Sequence, residues 1–285
     1  MYNIRFENAA GKSLQMGHEK SAYKLTNVSG IDGIEVDITT SQGFDQIGVS
    51  IGSMVVEERK IGLIGRIDNF SPSQLSRISE MFLPLSGVRM FFNEKYWIDV
   101  VIEESPVFSY DLKTAKFSVS LLAPYPFWKS VKKNFYRLGG LSGGFNFPVS
   151  YNVPHNFATF PEILFTNCKN NGNTKVDFKA TITAFSGTAD GVRLVNAANQ
   201  KYLVVNTEIT AADTVEIYRE NNILRVSKTT GGVTTDIFSS FDEDSTLFYM
   251  DVGDNVIRAD VTGGDAVLVA SIEFYDTVSG VRYGI

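Results

Sequence analysis

Apolar and polar side chains alternate with a period of two along most of the chain, and this alternation constrains the fold more than any other feature. Successive side chains of a β-strand point to opposite faces, so the pattern predicts strands with one face on a core and one face outward. Clusters of Gly, Asn and Asp separate the runs, as turns require. The clearest runs are Tyr2–Phe6, Ile34–Ile38, Ile47–Ile51, Ile98–Ile102, Phe117–Leu121, Val176–Ile182, Ile223–Val226 and Leu268–Phe274.

One segment follows a helical period instead. Its apolar residues recur at spacings of three and four and would form a stripe on one helix face. They are Leu75, Ile78, Phe82 and Leu85. Ser71 is suited to the N-cap, Pro72 to the first helical position, and Gln74 completes a capping box with Ser71. The sequence therefore predicts one helix over residues 72–84, packed on a sheet.

Two proline- and glycine-rich segments divide the chain. Pro124 and Pro126 end any strand that precedes them, and residues 138–144 contain four glycines in a segment suited to a linker. Strand patterns resume after an extended, proline-spaced aromatic stretch. The predicted organisation is a first domain at residues 1–133, a linker and extended segment at 134–157, and an all-β sandwich at 158–285.

The charge balance argues against a surface that binds specific nucleic acid sequences. The formal net charge is −6 at pH 7, and Lys and Arg are dispersed along the chain without forming a basic stripe. The single cysteine, Cys168, excludes an internal disulfide framework. Neither a signal-peptide pattern nor an apolar run of membrane-spanning length occurs, so we expect synthesis in a cytoplasm and no membrane insertion.

Residue types that commonly carry catalysis are few and scattered. His18 and His155 cannot together supply the usual multi-histidine zinc or iron site. Cys168 with His155 could form a nucleophile and its base, but the neighbours of Cys168 do not resemble the helix N-terminus that lowers a thiol pKa. Ser29 and Ser142 lack the strand-to-helix setting of a Gly-x-Ser-x-Gly elbow. We therefore expect ordinary histidines and a structural cysteine.

Three carboxylate clusters remain as candidates: Glu57–Glu58, Glu103–Glu104 and Asp242–Asp244. Adjacent strand residues face opposite ways, so Glu103 and Glu104 cannot act as an acid and base pair unless a bulge intervenes. Asp242 and Asp244 lack the full spacing of a calcium loop, which favours a solvated turn. The glycines of 139–144 lack the Lys-Ser/Thr of a phosphate-binding loop. The sequence predicts no catalytic, cofactor-binding or metal-binding residue.

Several short motifs occur in an order that resembles the distal tail protein family of siphophages, often called Dit. Each motif alone is weak, and their order and spacing carry the resemblance over nearly the whole chain. The motifs are Ile4–Asn8 followed by Gly11 and Leu14, Tyr23–Leu25 leading to Gly30, Arg59–Gly65, Leu121–Trp128, the aromatic stretch 145–157, Pro161–Asn167 and Gly253–Ile257. The chain departs from the family in a longer turn at 167–172, and it has no carbohydrate-binding insertion.

The resemblance implies a mainly β protein: an N-terminal β-sandwich with one helix, which forms the ring, and a C-terminal galectin-like β-sandwich. In such proteins the N-terminal domains close a hexameric ring, single or stacked in pairs, at the tip of the phage tail. The ring joins the tail tube to the tail-associated hub protein, and the C-terminal domain projects outward, where it can hold receptor-binding proteins. The implied function is that of a structural baseplate protein of the virion in host attachment, not an enzyme.

Other interpretations remain open at this point. A tandem β-sandwich with Trp97, Trp128 and many tyrosines could be a carbohydrate-binding module or a lectin-like receptor-binding protein, although we expect both tryptophans to be buried. A polysaccharide-processing enzyme would need paired carboxylates on one face. A tail-like bacteriocin would use the same kind of structural protein, and the sequence does not distinguish it from a phage.

Overall fold

A computed structural model describes residues 3–17, 21–139, 142–143, 158–159, 164–220 and 223–281. The chain divides into two compact units, of which the second comprises Lys133–Asp276. The first unit contains the residues before Lys133 and also those from Thr277 onward. This division differs from the predicted domain at 158–285 at both ends. The first boundary falls within a strand at Trp128–Leu138, and the second falls within a strand at Val267–Val278. His18, His155 and most of the predicted linker at 134–157 lie outside the described residues.

The first unit is a β-sandwich whose described part contains one helix, α1. Its elements are β1 (Asn3–Asn8), β2 (Ser13–Gly17), β3 (Lys24–Ser29), β4 (Val36–Ser41), β5 (Ser50–Val56), β6 (Arg59–Asp68), α1 (Pro72–Met81), β7 (Gly87–Phe92), β8 (Tyr96–Ile102), β9 (Val107–Tyr110), β10 (Thr114–Ala123) and the first part of β11 (Trp128–Leu138). The main sheet has the order β11-β8-β7-β1-β2-β3-β6-β10-β9. Because β8 also pairs with β10, the sheet returns on itself and encloses a core.

The core of the first unit follows the predicted alternation. Every second residue of β10 is buried, as are alternate residues of β1 and β8. These buried side chains include Ile4, Phe6, Ile98, Val100, Ile102, Phe117, Val119 and Leu121. Each large apolar side chain removed from water contributes about 1.5–3 kcal/mol relative to an exposed one. The prolines end β10 as predicted, since that strand stops at Ala123 and β11 begins at Trp128.

Helix α1 begins as the sequence predicts. Pro72 is the first helical residue, and the backbone N–H of Ser71 donates to Gln74 Oε1 at 2.9 Å. Ile78 and Phe82 are fully buried, and Leu75 packs against the same core. The apolar stripe therefore covers the sheet over most of its length.

The predicted end of the helix is wrong. The last helical residue is Met81, and Phe82 is the C-cap. Leu85 has a positive φ of 63° and a fully exposed side chain, so it belongs to the loop before β7 and not to the buried stripe. The reason is local, since Pro84 has no N–H to continue the helical hydrogen bonds and disfavours helical geometry at the preceding residue.

The second unit is a two-layer β-sandwich, the architecture predicted for the second half of the chain. Before the strands of this sandwich in sequence, β12 (Ser142–Gly143) pairs with β13 (Ala158–Thr159). The strands of the sandwich are β14 (Leu164–Asn170), β15 (Lys179–Ser186), β16 (Ala189–Asn196), β17 (Lys201–Val205), β18 (Asp213–Glu220), β19 (Ile223–Thr230), β20 (Val233–Asp236), β21 (Gly253–Gly264) and β22 (Val267–Val278). A 3₁₀ turn covers Phe238–Ser240. One layer has the order β20-β19-β18-β15-β22 and the other β14-β21-β16-β17.

Candidate functional site

Cys168 is fully buried in the core of the second unit. Burial disfavours the thiolate and raises the pKa of the Cys168 thiol to about 12. The thiol therefore stays protonated at neutral pH, which is the reverse of what a nucleophile requires. These properties support a structural role for Cys168.

All three carboxylate candidates lie between strands, and Glu57 and Glu58 are exposed between β5 and β6. Glu103 and Glu104 are both exposed in the bend after β8. Asp242 accepts hydrogen bonds from the Asn206 side chain at 3.0 Å and from the backbone N–H of Asp244 at 2.9 Å, so its oxygens stabilise a turn. Across the described ranges, no group of three or more His, Cys, Asp or Glu side chains could hold a metal ion. Likewise, no helix in that part of the chain is long and apolar enough to cross a bilayer.

The tryptophans do not offer open rings on which a sugar could stack. Trp128 is fully buried, and Trp97 is 7% exposed with its Nε1 donating to the Ser130 carbonyl at 3.1 Å. The Arg89 guanidinium carbon lies 3.9 Å from the centroid of the Trp97 ring, and Lys129 Nζ lies 4.8 Å from it. Both tryptophans are therefore covered, Trp128 by the core of the first unit and Trp97 by two cationic side chains.

Strands β4 and β5 form a hairpin, here called the exposed hairpin, that does not pack on the core of the first unit. Every residue of both strands is exposed. Its large apolar side chains are Val36, Ile38, Phe44, Ile47, Val49, Ile51, Met54, Val55 and Val56, each at least 44% exposed. An isolated two-stranded hairpin is marginally stable in water, and an exposed apolar patch of this extent marks a contact surface.

The two faces of the exposed hairpin differ in polarity. Residues directly opposite in an antiparallel pair share a face, and the pairs Val36–Val56 and Ile38–Met54 place four apolar side chains on one of them. The register shifts after Thr39–Ser53, so that Thr40 pairs with Ile51. Gly52 is therefore an extra residue, a bulge that returns Ile51 to the apolar face.

The opposite face of the exposed hairpin is mostly polar. The pairs Asp37–Val55 and Thr39–Ser53 lie on it. Between Lys24 and Arg59 the sequence has no basic residue, whereas it has six acidic ones. These are Asp32, Glu35, Asp37, Asp45, Glu57 and Glu58. The exposed hairpin and its base therefore combine one apolar face with a surrounding negative charge.

The strands predicted at Ile34–Ile38 and Ile47–Ile51 are observed only in part, since β4 begins at Val36 and β5 at Ser50, and the prediction that their apolar residues lie on the chain's own core is wrong. The apolar side chains of β4 and β5 are exposed instead. The alternation of apolar and polar residues predicts only that a strand has one apolar face and does not identify the molecule that covers this face. The absence of Lys and Arg from residues 25–58 is visible in the sequence, although residues 229–257 also lack both.

Comparisons with known proteins concern the fold of the chain. Residues 171–274 match the family model of the siphovirus-type tail component, C-terminal domain. No curated protein sequence matches the chain. The crystal structure of SPP1 Dit (gp 19.1), described as a paradigm of the hub adsorption apparatus in phages that infect Gram-positive bacteria, is similar with a TM-score of 0.66 and 12% identity over 97% of this chain and 99% of that one.

A second solved structure extends the comparison. A chain of the phage P2 baseplate, in its activated conformation with Ca, has a TM-score of 0.50 and 12% identity over 96% of this chain and 98% of that one. At this level of identity the structures establish the fold alone. The resemblance drawn from the sequence motifs is confirmed to this extent: the chain has the fold of SPP1 Dit, and its residues 171–274 match the family model of the siphovirus-type tail component, C-terminal domain.

Proposed function

We propose that the protein is a distal tail protein whose first unit closes a hexameric ring at the tip of a phage tail. The observation that carries the proposal is the apolar face of the exposed hairpin, whose residues are all exposed in the isolated chain. A second copy of the chain is the partner that repeats this contact around a ring. Each copy would present its hairpin to one neighbour and receive the hairpin of the other, which is a heterologous contact that closes by rotation.

The polar face of the exposed hairpin suits the lumen of such a ring. Double-stranded DNA would have to pass through the lumen without binding, and basic side chains would retain it by neutralising phosphates. The segment from residue 25 to residue 58 has acidic side chains and no basic ones. Its negative charge would repel the DNA backbone and leave it free to move.

The ring would join the tail tube to the tail-associated hub protein, either as a single ring or as two stacked rings. The second unit would then anchor receptor-binding or other baseplate components in host attachment. The similarity to SPP1 Dit and to a phage P2 baseplate chain supports this assignment to the tail tip of a virion. We infer a structural role without catalysis, which the buried Cys168 thiol and the turn-forming Asp242 support.

Two adjacent rows of the exposed hairpin provide a matched test. Ile38→Asn with Met54→Asn changes an opposed pair on the apolar face, and Thr39→Asn with Ser53→Asn changes the next pair on the polar face. Both double variants introduce the same residue into the same strands. We expect the apolar-face variant to lose ring assembly, since burial of one large apolar side chain in the interface contributes about 1.5–3 kcal/mol.

Light scattering after size exclusion measures assembly in this test, and thermal unfolding of the core confirms that each variant is folded. The polar-face variant should assemble like the wild type. Equal assembly of both variants would contradict the assigned interface. A wild-type protein that stays monomeric at high concentration, alone and with the tail tube protein, would contradict the ring itself.

A further inference from the structure

Arg59 is buried at the base of the exposed hairpin. It is the first residue of β6, just after the returning strand of the hairpin, and its side chain is 4% exposed. Burial of a guanidinium is costly unless hydrogen bonds satisfy its N–H groups. Desolvation lowers the pKa of Arg59 to about 10, which still leaves the side chain charged at neutral pH. A buried positive charge at this position therefore requires acceptors from the surrounding chain.

Four backbone carbonyls supply those acceptors. Arg59 Nη1 donates to Gly30 and Gly33 at 2.6 and 2.8 Å, and both glycines precede the first hairpin strand. Nε donates to Pro126 at 2.6 Å, in the turn between β10 and β11. Nη2 donates to Ser279 at 2.5 Å. One side chain thus links both ends of the hairpin to the turn after β10 and to a segment 220 residues away in sequence.

The distant segment, Thr277–Val281, also contacts the hairpin base directly. The backbone N–H of Val281 donates to the Ile31 carbonyl at 3.1 Å, and the Val281 side chain lies in the core of the first unit. Gly280 lies so close to Asp32 that a Cβ added to it would be 2.0 Å from the Asp32 carbonyl oxygen. Only glycine fits this approach, so the segment is held against residues 31–32 without space between them.

We propose that Arg59 and Thr277–Val281 form a hairpin clasp that fixes the direction of the exposed hairpin, and that ring assembly requires this clasp. The inference rests on the proposed function of the hairpin as the ring contact. A strand of six residues is about 20 Å long, so a tilt of about 20° at its base displaces the tip by about 7 Å. Apolar contacts extend only to about 4.5 Å, so such a tilt would abolish the interface.

The order of the chain gives the clasp a further consequence. Residues 277–281 follow the whole of the second unit, Lys133–Asp276, in sequence. The hairpin is therefore fixed in direction only after the second unit has been synthesised. A partly synthesised chain would have a first unit that cannot yet enter a ring, which delays assembly until the second unit is present.

Two pairs of matched variants test the clasp. Gly280→Ala adds a Cβ that collides with the Asp32 backbone and should push the segment away from the hairpin base. Gly33→Ala, at the same hairpin base, adds a Cβ with no atom within 4 Å. A chain ending at Asp276 lacks the clasp segment, whereas one ending at Val281 retains it. Loss of a hydrogen bond to a charged group is worth about 1.5–3 kcal/mol, so we expect Gly280→Ala to raise the half-assembly concentration about tenfold or more.

A second readout does not depend on the ring. Spin labels at Phe44→Cys on the hairpin turn and Lys116→Cys on β10 report the hairpin direction, in a Cys168→Ser background made monomeric by Ile38→Asn and Met54→Asn. The distance distribution should be narrow in this background and in the Gly33→Ala variant, and broad with Gly280→Ala or Arg59→Ala. Arg59→Ala keeps the inference testable if Gly280→Ala fails to fold.

The outcomes separate the two proposals. A wild type that forms no ring refutes the proposed function, while the label distances still test the clasp. Folded Gly280→Ala protein with the distance distribution and assembly of Gly33→Ala would overturn the clasp and leave the ring proposal standing. Assembly of the chain ending at Asp276 with the same concentration dependence as the chain ending at Val281 would also overturn it.

Discussion

Two charged side chains, Arg59 and Asp213, are almost as buried as the apolar core, at 4% and 3% exposed. Arg59 donates to carbonyls from segments that are distant in sequence, whereas the partners of Asp213 come from the preceding turn and the next strand. Asp213 accepts from the backbone N–H of Thr210 at 2.8 Å, from the Thr230 hydroxyl and from Lys228 Nζ. The role of Arg59 could not be predicted from the sequence, because its acceptors come together only after distant parts of the chain meet.

Asp213 should make the stability of the second unit depend on pH. Desolvation raises the pKa of its carboxyl, but the hydrogen bonds from Thr230, Thr210 and Lys228 outweigh this effect and hold the pKa below its ordinary value. A depressed folded-state pKa contributes stability above the unfolded-state pKa of about 3.9, and this contribution is lost as the pH falls through the lower folded-state value. Asp213→Asn should therefore lower the free energy of unfolding by about 1–3 kcal/mol at pH 7.

Denaturant unfolding at several pH values measures this effect. The difference between wild type and Asp213→Asn should shrink as the pH is lowered from 5 toward 2, whereas the exposed Glu243→Gln should behave like the wild type throughout. A difference that stays constant over this range would show that the charge of Asp213 is not what stabilises the turn.

Cys168 should be chemically inert in the folded protein. Because its thiol is buried and its pKa is raised to about 12, a thiol reagent at pH 8 should label it only after unfolding by denaturant. Phe44→Cys introduces a fully exposed thiol on the hairpin turn and should react at once in the folded state. Rapid labelling of Cys168 without denaturant would contradict its structural role.

At the scale of single elements, the sequence predicts most strands and the start of the helix. Strands β8, β10 and β22 bury the residues that the alternation assigns to the core, because one face of each meets an opposing layer of the same unit. Strands β4 and β5 have the same kind of pattern and a different outcome. The alternation of apolar and polar residues depends on the strand alone, whereas the burial of its apolar face depends on what packs against it.

Helix α1 offers a test of the corrected apolar stripe. Phe82 is fully buried, with its ring centroid 4.9 Å from that of Phe6 in an edge-to-face arrangement. Phe82→Ala should cost about 3–5 kcal/mol, since it leaves a cavity under the helix. Leu85→Ala removes a fully exposed side chain and should change stability by less than about 0.5 kcal/mol. Thermal unfolding that ranks the two variants equally would contradict the helix end at Met81.

At the scale of the whole molecule, the sequence predicts two β-sandwiches with a break close to residue 133, and it leaves open whether residues 275–285 return to the first unit, as Thr277–Val281 do. The strand pattern of Leu268–Phe274 is clear, and the Ser-Gly-Val that follows β22 has no periodicity that would indicate a partner. A fragment ending near Trp128 or Lys133 should therefore lack part of the first unit's core, including Val281. We propose that ring formation requires both chain segments of the first unit.

The most direct test of the central claim is the mass and shape of the wild-type protein in solution. Light scattering after size exclusion, combined with negative-stain images of the same fractions, measures both. We expect a particle of six times the chain mass, or twelve times for stacked rings, with a central hole, and its dissociation when Ile38 and Met54 become Asn. A protein that remains monomeric at high concentration and in the presence of the tail tube protein would contradict the proposed ring.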